Sequence, residues 1–142
     1  MIYLFDTDHV TFYSLGTVEG DAIRRRLRNV GLDDYGTTVV SYEEQCRGWL
    51  NKIHQAQTSE ARIESYFQLK ASLLFFTRIA VLEYDARADA KFVELKKIVK
   101  NKIGTKDLRI ASIGIVHGAT VLTRNIQHFA PIPGCLYADW TI

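Results

Sequence analysis

At 142 residues the chain has the length of one domain, and folding at that size buries roughly 68% of the surface that the unfolded chain exposes. A core of that extent needs no metal or disulfide staple, and 47% hydrophobic with 24% charged residues excludes collagen-like and disordered classes. Lys+Arg number 18 against 16 Asp+Glu, a net charge of +2, too mild to mark a nucleic-acid binder by bulk charge.

Ile2 to Phe5 is a short apolar run closed by Asp6, the pattern of a strand buried on both faces. A short helix is expected around Asp8–Ser14, stopped by Gly16, and Thr17 or Asp21 can cap the next one through Ala22, Ile23, Leu27 and Val30. Asp33, Asp34 and Gly36 read as turn breakers before a β-branched second strand, Thr37–Val40. Ser41 is the expected N-cap of a helix carrying Tyr42, Cys46, Trp49, Leu50 and Ile53 on one face. Thr58 or Ser59 can cap a longer helix to about Arg78, and Val81-Leu82 is a brief extended segment. An amphipathic helix is expected over Ala86–Lys100. Another, capped by Thr105, runs to His117-Gly118, Ala119–Leu122 is a third strand, and Cys135-Leu136-Tyr137 an edge strand after Pro131 and Pro133. Strands alternating with helices mean βαβ units and a parallel sheet, in one α/β domain over residues 1–142.

No apolar run approaches the roughly 18 residues of a membrane span. The first residues lack a basic region, and Asp6 interrupts their apolar stretch, so they read as structure rather than as a signal peptide. Cys46 and Cys135 follow no CxxC spacing and read as reduced thiols, so the expected location is cytoplasmic, away from membranes.

In open parallel sheets the chemistry lies beyond the carboxyl ends of the strands. Asp6, Glu43 and Glu44, Asp107, and Thr123-Arg124-Asn125 all fall at that edge. Singly, each first-turn carboxylate can be a helix-dipole partner worth about 0.3–1 kcal/mol, and Ser41-Tyr42-Glu43-Glu44 fits a capping box. Asp6 has no capping role in this reading. Together the group is harder to dismiss, because two carboxylates about 4 Å apart repel by about 4 kcal/mol at an effective dielectric near 20. Such a set must protonate or bind cations, and its hard oxygen donors suit Mg²⁺ or Mn²⁺. A centre of that kind activates water and steadies charge on phosphate, so metal-assisted phosphodiester hydrolysis is the expected chemistry.

Four segments carry a resemblance: Ile2-Tyr3-Leu4-Phe5-Asp6-Thr7-Asp8, Val40-Ser41-Tyr42-Glu43-Glu44-Gln45-Cys46-Arg47-Gly48, Lys106-Asp107-Leu108-Arg109-Ile110-Ala111 and Gly118-Ala119-Thr120-Val121-Leu122-Thr123-Arg124-Asn125. In this order, and with the closing Phe129–Gly134, the chain resembles PIN-domain ribonucleases of the VapC toxin type over nearly its whole length. The resemblance implies a three-layer α/β/α domain with a central, mostly parallel, twisted sheet. It places metal-binding roles on Asp6, Glu44 and Asp107, adds Asn125 as a fourth catalytic position, and gives the Thr123 hydroxyl a supporting part. It implies an endoribonuclease using Mg²⁺ or Mn²⁺ on an RNA substrate, kept silent by a cognate antitoxin whose C-terminal segment fills the groove, and a homodimeric toxin core. Two departures stand out: Asp8 occupies a position where the family often has Asn, and His128 one where an acidic residue is common. On a helical wheel Glu43 lies nearer the apolar face, whereas the Glu-x-x-x-Gly spacing to Gly48 favours Glu44.

Other signals are weaker. The four histidines follow no metal-ligand spacing, although His9 lies close enough to the acidic segment to touch substrate. Arg24–Arg26 with Arg28, and Lys96-Lys97 with Lys100 and Lys102, read first as solvated helix faces and second as a basic rim for RNA phosphates. Phe12, Tyr13 and Trp49 fit core packing better than base stacking. Phe5-Asp6-Thr7-Asp8-His9-Val10 also fits the signature of a haloacid-dehalogenase-like phosphatase, with Asp6 as nucleophile and Asp8 as general acid. A non-catalytic binding module is disfavoured, since unused carboxylates gathered in one place only cost stability.

Overall fold

The computed structural model describes residues 1–142. Its sheet has five parallel strands, β1 (Tyr3–Phe5), β2 (Tyr35–Thr38), β3 (Ala80–Leu82), β4 (Thr120–Leu122) and β5 (Leu136–Ala138), in the spatial order β3-β2-β1-β4-β5. Helices α1 (Thr7–Tyr13), α2 (Val18–Leu27), α3 (Val39–Gln55), α4 (Ser59–Arg78), α5 (Ala86–Val99), α6 (Thr105–His117) and the single turn α7 (Ile126–Phe129) form the connections.

The alternation of side chains along a strand builds the layers. In β1, Leu4 faces a core with Leu95, Val99, Leu108, Ile110 and Val121, supplied by α5, α6 and β4. Phe5 faces the other side, with Val10, Ile23, Phe76 and Leu122 and the ring of Trp140. Both faces of β1 are therefore dry, as its unbroken apolar run predicts. The result is three layers, α/β/α.

Chain direction across the sheet reverses beside β1: β2 and β3 lie to one side, β4 and β5 to the other. The carboxyl ends of β1 and β4 flank this switch point, where open α/β sheets place their ligand crevice. Asp6 follows β1 and Thr123 follows β4.

Several local expectations are corrected. The second strand ends at Thr38, and α3 begins at Val39, capped by the Thr38 hydroxyl, which accepts the Ser41 N–H at 3.1 Å. Ser41 lies buried inside the first turn, so no capping box runs from it to Glu44. The β-branched pair Val39-Val40 reads as strand locally, but burial of Val40 among α5 and α6 residues holds it in helix. Gly36 is a mid-strand residue instead of a turn: a Cβ there would meet the Ala80 carbonyl oxygen at 2.5 Å, so only glycine lets β3 approach. Asp6 does cap a helix, α1, with its side chain accepting the Thr7 N–H. The N-cap of α6 is Gly104, with Thr105 the first helical residue, and Gly118 ends that helix at φ 63°, the left-handed region that glycine enters freely.

Candidate active site

Asp6 is the centre of the site. It is 3% exposed, one oxygen accepts the Thr7 N–H at 2.7 Å, and the other accepts the Thr123 hydroxyl at 2.8 Å. The Thr123 oxygen in turn accepts the Asn125 N–H at 3.0 Å, which shapes the turn after β4. Burial pushes the Asp6 carboxyl from 3.8 up to about 7, and the charges of Asp8 and, more weakly, Asp107 push the same way against these hydrogen bonds.

Glu44 reaches the same region from the first half of α3. Its Oε1 accepts the Thr7 hydroxyl at 2.7 Å, so Thr7 links Asp6 to Glu44 through its backbone and side chain. Burial raises the Glu44 pKa above its ordinary value, opposed by the Thr7 hydrogen bond and reinforced by the charge of Asp107. Asp107, in the first turn of α6, thus acts on both other carboxylates, and its own Oδ2 lies 2.8 Å from His128 Nδ1. Asn125 is exposed at the start of α7, beside this group.

Glu43 points elsewhere. It pairs with Lys106 Nζ at 2.5 Å and Arg47 at 2.9 Å, and the Lys106 hydrogen bond leads in holding its carboxyl below the ordinary range. It joins α3 to α6. His9 is not a substrate contact: it is fully buried, between Asp8 and the Trp140 backbone. Asp8 spends one oxygen on His9 Nδ1 and the other on the Arg124 N–H, each at 2.8 Å.

Among the basic residues, Arg24 donates to the Tyr13 and Leu15 carbonyls and Arg26 to that of Ile142, so both serve the fold. Phe12 lies under the Arg124 guanidinium at 5.3 Å, Tyr13 packs on Phe5 at 5.3 Å, and Lys52 covers Trp49 at 4.8 Å. Two participants escape sequence reasoning. Thr7 has only its place beside Asp6 to mark it, and the pairing of His128 with Asp107 has no local signal at all.

The acidic and imidazole groups do not close as a ready-made set of three around one point. Their chemistry nevertheless fits a hard divalent cation. The donors are carboxylate oxygens, and burial, with the negative charge of neighbours such as Asp107, holds Asp6 and Glu44 against ionisation, a penalty that a cation relieves.

This arrangement coincides with a known family: the PIN domain model matches residues 3–132. The chain belongs to the PIN domain family. The match takes in β1, α3, α6 and the turn after β4, and so every residue of the acidic group in the PIN domain. The chain is 33% identical over 70 residues to "Ribonuclease VapC2" of Rickettsia felis, a match covering 47% of this chain and 52% of that relative. It thus spans about half the length of the curated relative. Its fold matches the structure of VapBC-1 from nontypeable Haemophilus influenzae with a TM-score of 0.77, at 22% identity and over 100% of both chains. VapBC2 from Rickettsia felis, bound to a promoter DNA fragment, matches with a TM-score of 0.73 at 22% identity, over 99% of both chains. The PIN domain assignment leaves the haloacid-dehalogenase alternative unsupported, and Asp8, with both oxygens engaged, is badly placed as its general acid.

Proposed function

We propose that this PIN domain is a metal-dependent endoribonuclease, the toxin of a toxin–antitoxin pair that works in the cytoplasm. The observation that carries the reading is that Asp6 and Glu44, linked through Thr7 at the carboxyl end of β1, are both held against ionisation, with the charge of Asp107 acting on each. Asp6, Glu44 and Asp107 would hold the cation, Mg²⁺ or Mn²⁺. When bound, it would lower the pKa of water and neutralise charge developing on a phosphodiester.

The chain's own residues supply the rest. Thr7 and Thr123 orient the two oxygens of Asp6, and Thr7 also fixes Glu44. Asn125, exposed on the turn that Thr123 shapes, would hold the attacking water or a phosphate oxygen. His128 steadies Asp107. Arg124, above Phe12 at the rim, provides a positive charge for the RNA backbone.

The protein partner would be a cognate antitoxin. A cavity of about 410 Å³ lies between α1 and the α3–α4 pair, lined in part by Val10, Gln45, Trp49, Phe67 and Phe76. On α4 beside it, Ile63 is 70% and Phe67 65% exposed, an apolar surface that suits an amphipathic segment. A homodimeric core completes the proposal. Cleavage of RNA by wild type and by Asp107→Asn, with Mg²⁺ and with a chelator, tests it: activity should require both the metal and Asp107. Full activity in chelator would remove the metal mechanism.

A further inference from the structure

We infer that Asp8 and His9 form a positioning pair that ties the 139–140 segment to the catalytic turn after β4; this deepens the nuclease reading and rests on it. The tautomer of His9 is fixed by its neighbours. Its Nε2 lies 3.0 Å from the backbone N–H of Trp140, a group that can only donate. Nε2 must therefore carry the lone pair, and Nδ1 the proton. Nδ1 then donates to Asp8 Oδ1 at 2.8 Å. The nearby Asp139 carboxylate, 3.8 Å from Nε2, is engaged by the N–H and hydroxyl of Thr141 at 2.8 and 2.6 Å.

The other end of the relay is equally constrained. Asp8 Oδ2 accepts the Arg124 N–H at 2.8 Å. Arg124 stands between Thr123, which donates to Asp6, and Asn125. Two backbone N–H groups thus bound the relay, and the side chains between them must offer an acceptor at each end and share a single proton. Aspartate with histidine meets that requirement. Asparagine at position 8 does not: if its oxygen meets Arg124, its NH₂ faces the Nδ1–H of His9, donor against donor. Asp8 is accordingly a carboxylate because His9 is its neighbour, and its role is to place the Thr123–Asn125 turn, not to bind metal. His9 is fully buried and its ring lies 6.4 Å from that of Phe5, so packing leaves it little freedom to rotate away.

The test uses the full chain and two variants. Asp8→Asn alters a side chain that is 21% exposed and spares the core. His9→Phe keeps a ring in the core but removes both hydrogen bonds. In wild type, ¹⁵N-histidine spectra should show His9 with Nδ1 protonated and Nε2 bare. Each variant should lower kcat for RNA by about tenfold or more, because misplaced catalytic groups lose transition-state contacts. KM should stay within about twofold, since uniform binding of RNA is untouched. Amide exchange at Arg124 should quicken about tenfold while that of Leu122 in β4 is unchanged. If His9→Phe does not fold, Asp8→Asn alone decides. Wild-type kcat in Asp8→Asn, or unaltered exchange at Arg124, would overturn the inference. So would weaker Mg²⁺ binding with unaltered exchange, the signature of a metal ligand. A wild type that cleaves no RNA with Mg²⁺ or Mn²⁺ overturns the nuclease reading instead, and Arg124 exchange still decides the relay.

Discussion

Asp6→Asn offers a prediction in which stability and function move in opposite directions. In the fold, burial and the charges of Asp8 and Asp107 raise the Asp6 pKa from 3.8 to about 7. The folded state therefore holds the Asp6 proton more tightly than the unfolded one. Below the unfolded value there is no penalty; it grows through the window between the two values and is complete above about pH 7. At about 1.4 kcal/mol per pKa unit, the ionised carboxylate costs the metal-free fold about 4 kcal/mol at pH 8. Asparagine escapes that cost and can still accept the Thr7 N–H. Its NH₂ would meet a Thr123 oxygen that already accepts from Asn125, and the Thr123 hydroxyl proton loses its acceptor, at a cost of about 1 kcal/mol. The metal-free variant should thus be the more stable protein at pH 8 by about 3 kcal/mol, or roughly 10 °C in Tm for a chain of this size. At pH 4 it should be the less stable by about 1 kcal/mol. Calorimetric melts of both proteins in chelator at the two pH values read this directly. Saturating Mg²⁺ at pH 8 should then stabilise wild type, by about 2.7 kcal/mol at a hundredfold excess over Kd, and leave the variant unmoved. A variant destabilised equally at both pH values would show that Asp6 is an ordinary helix cap, and the reasoning would be wrong.

Three other predictions follow from the same geometry. Glu44→Gln should abolish RNA cleavage with a Tm within about 2 °C of wild type, because the glutamine oxygen still accepts the Thr7 hydroxyl and a group held against ionisation loses little when neutralised. Glu43→Gln should keep cleavage and lose at most about 1 kcal/mol, the worth of exposed pairs such as those with Lys106 and Arg47, as a urea melt would show; the opposite pattern would exchange the two glutamates. Phe67→Asp on the exposed face of α4 should leave RNA cleavage intact while weakening capture by the antitoxin at least about tenfold in a binding titration; unaltered binding would move the partner to another surface.

Much of the fold could be read residue by residue. Caps at Thr17 and Thr58, the stop at Gly118 and the apolar run before Asp6 are local signals, and α2, α4, the end of α6 and β1 follow them. The edge to search was legible for a topological reason: a parallel sheet sends every strand's end to one side, and there the Asp107 charge acts on both Asp6 and Glu44. Where local preference and burial disagreed, burial prevailed. Val39-Val40 is β-branched yet helical, and Gly36 looks like a turn but lies in a strand because β3 passes too close for a Cβ.

What the sequence could not supply was the partner of each polar group. The choice between Glu43 and Glu44 turns on Lys106 and Thr7, contacts made only once α3 lies against α6 and α1. The roles of Asp8 and His9 depend on Arg124 and Trp140, and His9 reaches Trp140 across 131 positions of sequence. Caps and periodicity act within a turn or two of helix, so they show in the residues themselves. A hydrogen bond at the sheet edge is directional and short, and whether an aspartate there binds metal, caps a helix or holds a histidine is decided by the atom that tertiary folding brings within 3 Å or so of it.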